Sequence, residues 1–320
     1  MLVLVLGLGL TAAGCGKYSI SNLRATQAFQ TGNEQYKKAE YKAAVEEYSL
    51  AVGFNPDLGY AYFFLGNSYD NLYKGTKKGD PENDAYLTKA VENYKKAIEK
   101  LTGKDPTQQK YRKLSFEYLI AAYGTDKMND IEKAVPIAQE LIAAEPDDAT
   151  NYQALGKLYE ENGRYDEAEA MFKKAIEVKP NDPLGYEVLA GYFNRQGEFD
   201  KTMAAFETRA NMEPNNPEAW HTMAPYYSDK AMKDLKLTRE VAKKYVMRGL
   251  EVEEKALAIN PEYFAALAYK NILLRQEALL EKDPAKQKQL MNEADTVKAR
   301  AMELQKKQNA DAAAGRKAKD

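Results

Sequence analysis

The side chains that most often perform catalysis are scarce in this chain. His221 is its single histidine and Cys15 its single cysteine. Metal sites and acid–base pairs usually need several such groups, and the sequence lacks the spaced motifs of zinc proteases, nucleotide-binding loops and nucleophile elbows. Carboxylates are abundant, but they recur beside lysines at helical spacing, as Glu92 and Lys96 do, which is typical of a solvated helix face. The sequence therefore predicts a protein that is not an enzyme and that holds no cofactor and no metal.

The composition and net charge of the chain indicate which classes of binding partner are expected. The 320 residues include 29% charged side chains, and the formal net charge is −2. A nucleic-acid partner requires a basic surface, so none is expected, and nothing indicates a small-molecule substrate. The alternation of apolar and polar residues that marks strands is absent from the sequence. The elements that position the side chains are therefore expected to be helices.

Five prolines give those helices a period. Pro146, Pro180 and Pro214 lie 34 residues apart, and Pro56 and Pro261 continue the series with extra residues inserted between. Each lies in a short polar turn. A fixed period of this size is typical of a stack of helical hairpins, in which each hairpin buries its apolar face against the next.

One unit, residues 149–182, shows the pattern most clearly. Its anchors are Tyr152, Leu155, Gly156, Tyr159, Ala168, Phe172, Ala175 and Pro180. Small residues such as Gly156 and Ala168 let the two helices of a hairpin approach closely. Gly163 breaks the chain between the helices because glycine tolerates the left-handed conformation, and the closing proline cannot continue the second helix.

These anchors resemble the pattern of the tetratricopeptide repeat family. The resemblance implies an all-α fold, a right-handed α-solenoid of helical hairpins, over residues 25–307, with about seven hairpins. Looser copies are marked by Gly32 and Tyr48, Tyr62 and Gly66, Tyr118 and Ala134, Tyr186 and Phe206, Trp220 and Ala256, and Tyr263 and Leu267. Two hairpins, near residues 70–90 and 228–249, are longer than the pattern. Their extra residues either contact a partner or lengthen hairpins that pack on each other.

The N-terminus has a different composition. Met1–Ala13 is uncharged and almost wholly apolar, too short for an ordinary membrane-spanning helix but of the right length for the apolar part of a secretory signal. It ends in Ala12-Ala13-Gly14-Cys15, which resembles the bacterial lipoprotein signal. That resemblance implies a signal peptide over residues 1–14, a membrane anchor through acyl chains on Cys15, and a short tether over residues 15–24.

The lipoprotein resemblance also implies a localisation. Such a chain is anchored in the bacterial cell envelope and faces the periplasm, and Gly16 favours the outer over the inner membrane. Two features depart from the pattern: Ala12 stands where leucine is commoner, and the basic n-region is missing, which leaves open a start upstream of Met1. The alternative is a plain apolar N-terminal helix with an incidental cysteine. At the other end, residues 308–320 lack large apolar side chains and are expected to form a disordered tail.

The tetratricopeptide resemblance implies where a partner binds. In that family the first helix of each hairpin lines a concave groove, and its register places in that groove Phe29, Asn33, Tyr36, Tyr60, Phe63, Asn67, Asp70, Asn71, Phe116, Leu119 and Tyr123. Asparagine side chains can hydrogen-bond to a peptide backbone, and aromatic rings supply apolar area at low rotamer cost. The alternative is that these aromatics pack against Ile20, Leu23 or a terminal segment.

The combined prediction is a lipid-anchored scaffold that binds a peptide or a helix of another protein in its groove. Two other classes stay open at this point: a soluble cytoplasmic adaptor with an uncleaved apolar N-terminus, and an enzyme with an unrecognised site.

Overall fold

The structure is a computed structural model that describes residues 20–317. Every regular element in this range is helical, so the predicted all-α array of hairpins is confirmed. The α-helices are α1 (Ile20–Lys37), α2 (Tyr41–Phe54), α3 (Gly59–Leu72), α4 (Pro81–Lys100), α5 (Pro106–Tyr123), α6 (Ile131–Ala144), α7 (Ala149–Glu161), α8 (Tyr165–Val178), α9 (Pro183–Arg195), α10 (Phe199–Met212), α11 (Pro217–His221), α12 (Ala224–Lys233), α13 (Arg239–Ile259), α14 (Phe264–Leu280) and α15 (Pro284–Lys317), and a short 3-10 helix covers Gly75–Lys77.

Several of these helices start with the same two residues. Asp80, Asp105 and Asp182 each accept, at 3.0 Å, a hydrogen bond from a backbone N–H in the first turn. A proline follows each of them at the first helical position, where its missing N–H leaves no bond unmade. These starts are therefore specified by local sequence.

The chain divides into two compact units, with the boundary inside α8, between Met171 and Phe172. In the first unit α1 and α2, α3 and α4, and α5 and α6 pack as hairpins, and each hairpin also packs on the first helix of the next. Because successive helices are joined by short turns, α1, α3 and α5 run in the same direction. These first helices form one wall of the unit, with direct contact between α3 and α5.

Close approach inside the first two hairpins depends on glycine. A Cβ placed on Gly32 would lie 2.7 Å from two ring carbons of Tyr48, and one on Gly66 would lie 3.0 Å from the ring of Tyr94. Both tyrosine rings are completely buried. A larger residue at either glycine would therefore push the two helices apart.

The second unit contains α9 and α10, the hairpin of α11–α12 with α13, and the pair α14 and α15. Its core gathers Met203, Phe206, Met223, Val246 and Leu273. The first helix of the middle hairpin is in two pieces, because α11 ends at His221 and α12 begins at Ala224. Pro225 stands in the first turn of α12, and its ring and missing N–H prevent a continuous helix.

The two hairpins that the sequence marked as long contain long second helices. Helix α4 has 20 residues and α13 has 21, against 14 in α2. No helix within residues 20–317 is both long enough and apolar enough to cross a membrane.

Two predicted boundaries differ from the structure. Helix α1 begins at Ile20, inside the tether predicted over residues 15–24. Its first turn is held on α2, because Ser21 donates a hydrogen bond to the backbone carbonyl of Phe54 and the guanidinium group of Arg24 lies over the Phe54 ring. The tail predicted over residues 308–320 is helical as far as Lys317. Alanine and lysine are strong helix formers, which explains why the helix continues through this alanine- and lysine-rich segment. The predicted signal peptide and Cys15 lie outside the described residues.

Candidate functional site

A groove of about 590 Å³ opens on the wall formed by the first helices of the first unit. Three helices contribute side chains to it. They are Phe29, Asn33, Tyr36 and Lys37 from α1, Tyr60 and Phe64 from α3, and Asp105, Thr107 and Tyr111 from the start of α5. The groove therefore spans three successive hairpins.

Helical spacing explains why these side chains share one surface. Phe29 and Asn33, Tyr60 and Phe64, and Thr107 and Tyr111 each lie four residues apart, on one face of their helix. Residues at this spacing are neighbours on a helix surface. Since the three helices run side by side, the three pairs form one continuous lining.

Phe64 is the centre of the aromatic lining. Its ring centroid lies 5.8 Å from Phe29, 5.7 Å from Tyr36 and 5.4 Å from Tyr111. It also stacks on the fully buried Tyr48 at 5.8 Å. Ring pairs at such distances stabilise one another beyond the area that they bury, so the floor of the groove is rigid.

The asparagines near the groove are already hydrogen-bonded. The hydroxyl of Tyr48 donates to Oδ1 of Asn33 at 2.8 Å. Oδ1 of Asn67 accepts from the hydroxyl of Tyr36 and from the side-chain amide of Asn71. These amides hold the rings in place, and Oδ1 of Asn67 already accepts two hydrogen bonds, which uses both of its lone pairs.

The tyrosine hydroxyls around the groove stay protonated at neutral pH. Burial raises the pKa of Tyr36 and of Tyr48 above the ordinary phenol value. Burial and the nearby carboxylate of Asp105 do the same to the pKa of Tyr60. These hydroxyls are therefore available as hydrogen-bond donors.

The second unit holds a buried pair of titratable groups. Nδ1 of His221 lies 2.8 Å from Oε1 of Glu253, whose side chain is fully buried. Burial raises the pKa of Glu253, and the contact with His221 opposes that rise. The rings of Tyr263 and Tyr269 pack edge-on against the imidazole. This closed pair connects α11 to α13, and no group of three or more candidate metal ligands occurs among the described residues.

Comparison with known proteins agrees with this architecture. A sequence model of the tetratricopeptide repeat matches residues 127–191. The solved C-terminal part of a TPR repeat-containing protein from Cytophaga hutchinsonii is similar with a TM-score of 0.52 and 18% identity, over 86% of this chain and 98% of that one. Residues 127–191 of this chain therefore match the tetratricopeptide repeat, and the array of helical hairpins has the fold of that family.

Other solved tetratricopeptide-like structures are less similar. The MamA protein has a TM-score of 0.44 and 19% identity, over 67% of this chain and 98% of its own. A thermophilic TPR protein from Thermus thermophilus has a TM-score of 0.35 and 19% identity, over 63% of this chain and 98% of its own. No curated protein sequence matches the chain. At these identities the likeness concerns the fold alone.

The tetratricopeptide register places only part of the predicted set at the groove. Phe29, Asn33, Tyr36 and Tyr60 line it. Phe63 and Asn67 do not, because each is only 4% exposed. Phe63 faces the next hairpin, where the rings of Tyr111 and Tyr118 lie 5.1 and 5.9 Å away. Asn71 is exposed but its amide is used by Asn67.

The predicted residues of the third repeat face another way. Phe116 and Leu119 are almost fully buried and line a separate cleft of about 340 Å³ between α4, α5 and α6. Tyr123 is 4% exposed, and the ammonium groups of Lys95 and Lys133 lie over its ring. Asp70 is paired with Lys127 at 2.5 Å. The third repeat is degenerate in sequence, so its register did not reveal which face of α5 meets α3.

Five groove residues were missed by the sequence reasoning: Lys37, Phe64, Asp105, Thr107 and Tyr111. Phe64 lies next to the predicted Phe63, and Tyr111 lies one turn before the predicted segment of α5. A signal was present: Phe64 and Tyr111 stand four residues after Tyr60 and Thr107, a spacing that puts each pair on one helix face.

Proposed function

We propose that this chain is a non-enzymatic scaffold that binds a peptide or a helix of a partner protein in the aromatic groove. The observation that supports this is the joint lining of the groove by three successive first helices around Phe64. Aromatic side chains on rigid helices give a large apolar contact area with little loss of rotamer freedom on binding. Their floor is packed in advance, which lowers the entropic cost of association.

Site-specific photo-crosslinking in cells tests this proposal. A photoreactive residue replaces Thr107, which lines the groove, or Thr88, an exposed threonine of α4 outside it. We expect a defined adduct from position 107 only, and we expect Phe64→Leu to reduce it while far-UV circular dichroism stays unchanged. Mass spectrometry of the adduct then identifies the partner. The same adducts from both positions, or no effect of Phe64→Leu, would contradict the proposal.

We also propose that Cys15 is lipidated and anchors the chain in the bacterial cell envelope, facing the periplasm, at the outer rather than the inner membrane. The signal-like sequence of residues 1–14 supports this. So does the exposure of Ile20 and Leu23, 72% and 60%, a few residues after the cysteine. Exposed apolar side chains at that position suit a helix held close to a lipid surface.

Metabolic labelling separates lipid anchoring from a soluble adaptor. Radioactive palmitate should enter the wild-type chain and not Cys15→Ser, and density separation of membranes should find the label in the outer-membrane fraction. Label that persists in Cys15→Ser would exclude this site. An unlabelled wild-type chain in the cytoplasmic fraction would favour the adaptor.

A further inference from the structure

Two charged residues stand at opposite ends of the aromatic groove. Lys37 is the last residue of α1, and Asp105 directly precedes α5. Because α1 and α5 run in the same direction, the end of one and the start of the other lie at opposite limits of the groove. Between Phe29 and Lys37 the helix rises by about 12 Å, at about 1.5 Å per residue.

Neither charge has an opposite partner among the residues that the structure describes. Other charges of the first unit do: Lys100 pairs with Asp57 at 2.9 Å, and Lys127 pairs with Asp70 at 2.5 Å. Asp105 uses Oδ2 to cap α5 through the N–H of Gln108, which leaves Oδ1 without a donor in the described chain. A free cation at one limit and a free carboxylate oxygen at the other favour an occupant with the complementary charge at each end.

The rings between these charges favour a particular backbone. Tyr60 and Tyr111 meet edge-on at 5.5 Å and 84°, and Phe29 and Phe64 meet edge-on at 5.8 Å and 61°. These rings line one surface of the groove, and aromatic-lined grooves are the recognised docking sites of polyproline II segments. That conformation has no internal hydrogen bonds, so its carbonyls are free acceptors. Tyr111 lines the groove, and its hydroxyl makes no hydrogen bond to another residue within 20–317, so it is available to donate to such a carbonyl.

We propose that the occupant of the groove is a proline-rich, extended segment of the partner, with an acidic residue that pairs with Lys37 and a basic residue that pairs with Asp105. The two charges lie on α1 and at the start of α5, with α3 between them, and packed helices lie about 8–10 Å apart, so the charges are farther apart than the rise of about 12 Å along α1. At about 3.1 Å per residue, a polyproline II segment must place its two charged residues at least about four positions apart, and about seven if it crosses the three helices diagonally. This inference rests on the proposed function, because it names the chemistry of the segment that the same groove binds.

Short labelled peptides test the inference by fluorescence polarisation. The charged probes are Glu-Pro-Pro-Pro-Arg and Glu-Pro-Pro-Pro-Pro-Pro-Pro-Arg, which cover the shorter and the longer spacing. Each is also tested in reverse order, because the direction of the bound chain is not fixed by the two charges. The comparison probes have the same two lengths. Gln-Pro-Pro-Pro-Gln and its six-proline form lack charge, and Glu-Gly-Ser-Gly-Arg, its longer Gly-Ser form and their reverses lack proline. We expect one charged proline probe to bind about threefold to tenfold more tightly than either kind of comparison probe.

Matched protein variants assign each charge. Lys37→Met keeps the apolar stem, and Asp105→Asn keeps a good helix cap. Each should weaken the preferred charged probe and leave the uncharged proline probe of the same length unaffected. Lys38→Met removes the adjacent exposed lysine, which does not line the groove, and should change neither.

The possible outcomes separate this inference from the proposed function. If the charged proline probes bind no better than the comparison probes, or if Lys37→Met and Lys38→Met behave alike, the inference is wrong. If, in that case, the photoreactive residue at position 107 still captures a partner, the groove binds protein through another kind of segment. Failure of both experiments would reject the groove as a binding site.

Discussion

Substitution of Gly32 by alanine should destabilise the first hairpin, although alanine is the better helix former. In the interior of a helix, alanine is favoured over glycine by about 0.8–1.0 kcal/mol. At this position, however, the new Cβ would lie 2.7 Å from two ring carbons of Tyr48. Ordinary carbon–carbon contacts are about 3.5–4.0 Å, so the ring has to move by about 1 Å.

Tyr48 has little room for such a movement. Its side chain is fully buried, its hydroxyl is bonded to Asn33 at 2.8 Å, and its ring packs on Phe29 and Phe64 at 5.7 and 5.8 Å. Insertion of an extra methyl group into such a site costs about 1–3 kcal/mol. With the helix preference subtracted, we expect Gly32→Ala to lower the free energy of unfolding by about 1 kcal/mol, and by about 2 kcal/mol if the backbone cannot adjust.

Gly53→Ala is the matched control in the same hairpin. A Cβ on Gly53, in the last turn of α2, would meet nothing within 4 Å. It should therefore stabilise the hairpin by a few tenths of a kcal/mol, up to about 1 kcal/mol. Urea titrations followed by far-UV circular dichroism rank the stabilities of the two variants and the wild type. Repeat arrays do not always unfold in one step, so hydrogen exchange of peptides from α1 to α3 then shows whether the change in stability lies in the first hairpin. If Gly32→Ala were as stable as Gly53→Ala, the reasoning from close packing would be refuted.

Two further predictions concern backbone strain and a buried charge. Ala39, in the turn between α1 and α2, has φ +58°, and Gly163, in the turn between α7 and α8, has φ +74°. Ala39→Gly should raise the urea midpoint, because it removes about 1–2 kcal/mol of left-handed strain at an entropic cost of about 0.5–1 kcal/mol. An unchanged or lower midpoint would contradict this. Burial raises the pKa of Glu253, so the folded chain keeps that proton to higher pH than the unfolded chain and loses stability as pH rises from about 4.3 through the raised value. Glu253→Gln removes the titrating carboxyl group, and the new amide can still contact His221. The free energy of unfolding of this variant, measured by chemical denaturation and compared with that of the wild type, should therefore increase over that pH range. A difference between the two proteins that does not change with pH would contradict the assigned cause.

Most of the helices and their pairing into hairpins could be predicted from the sequence. Aspartate before proline marks the starts of α4, α5 and α9, and the 34-residue spacing of Pro146, Pro180 and Pro214 marks the period. These signals are local, since a cap or a proline acts on its own turn of backbone. The lengthened α4 and α13 could be anticipated for the same reason. The break between α11 and α12 could also have been read from Pro225.

Only some of the residues that line the groove could be predicted from the sequence. Phe29, Asn33 and Tyr36 could be chosen from the repeat register, because α1 follows the pattern closely enough to fix which face is which. On α3 the register placed Tyr60 correctly but chose the buried Phe63 instead of Phe64. The register failed for α5, where Phe116 is buried and Tyr111 takes the place at the groove. The sequence also could not reveal that Asn67 is already occupied by Tyr36, since the two residues belong to different hairpins.

The sequence by itself determined that this chain is a row of helical hairpins with no recognisable catalytic motif, because helix starts, breaks and small contact residues depend on short-range chemistry. The tertiary structure alone decided that Phe64 is the centre of the groove and that Lys37 and Asp105, at its two ends, have no oppositely charged partner within residues 20–317. The physical reason is that a side chain's exposure is set by the helix that packs beside it. In this unit the neighbouring first helices are separated along the chain by an entire second helix.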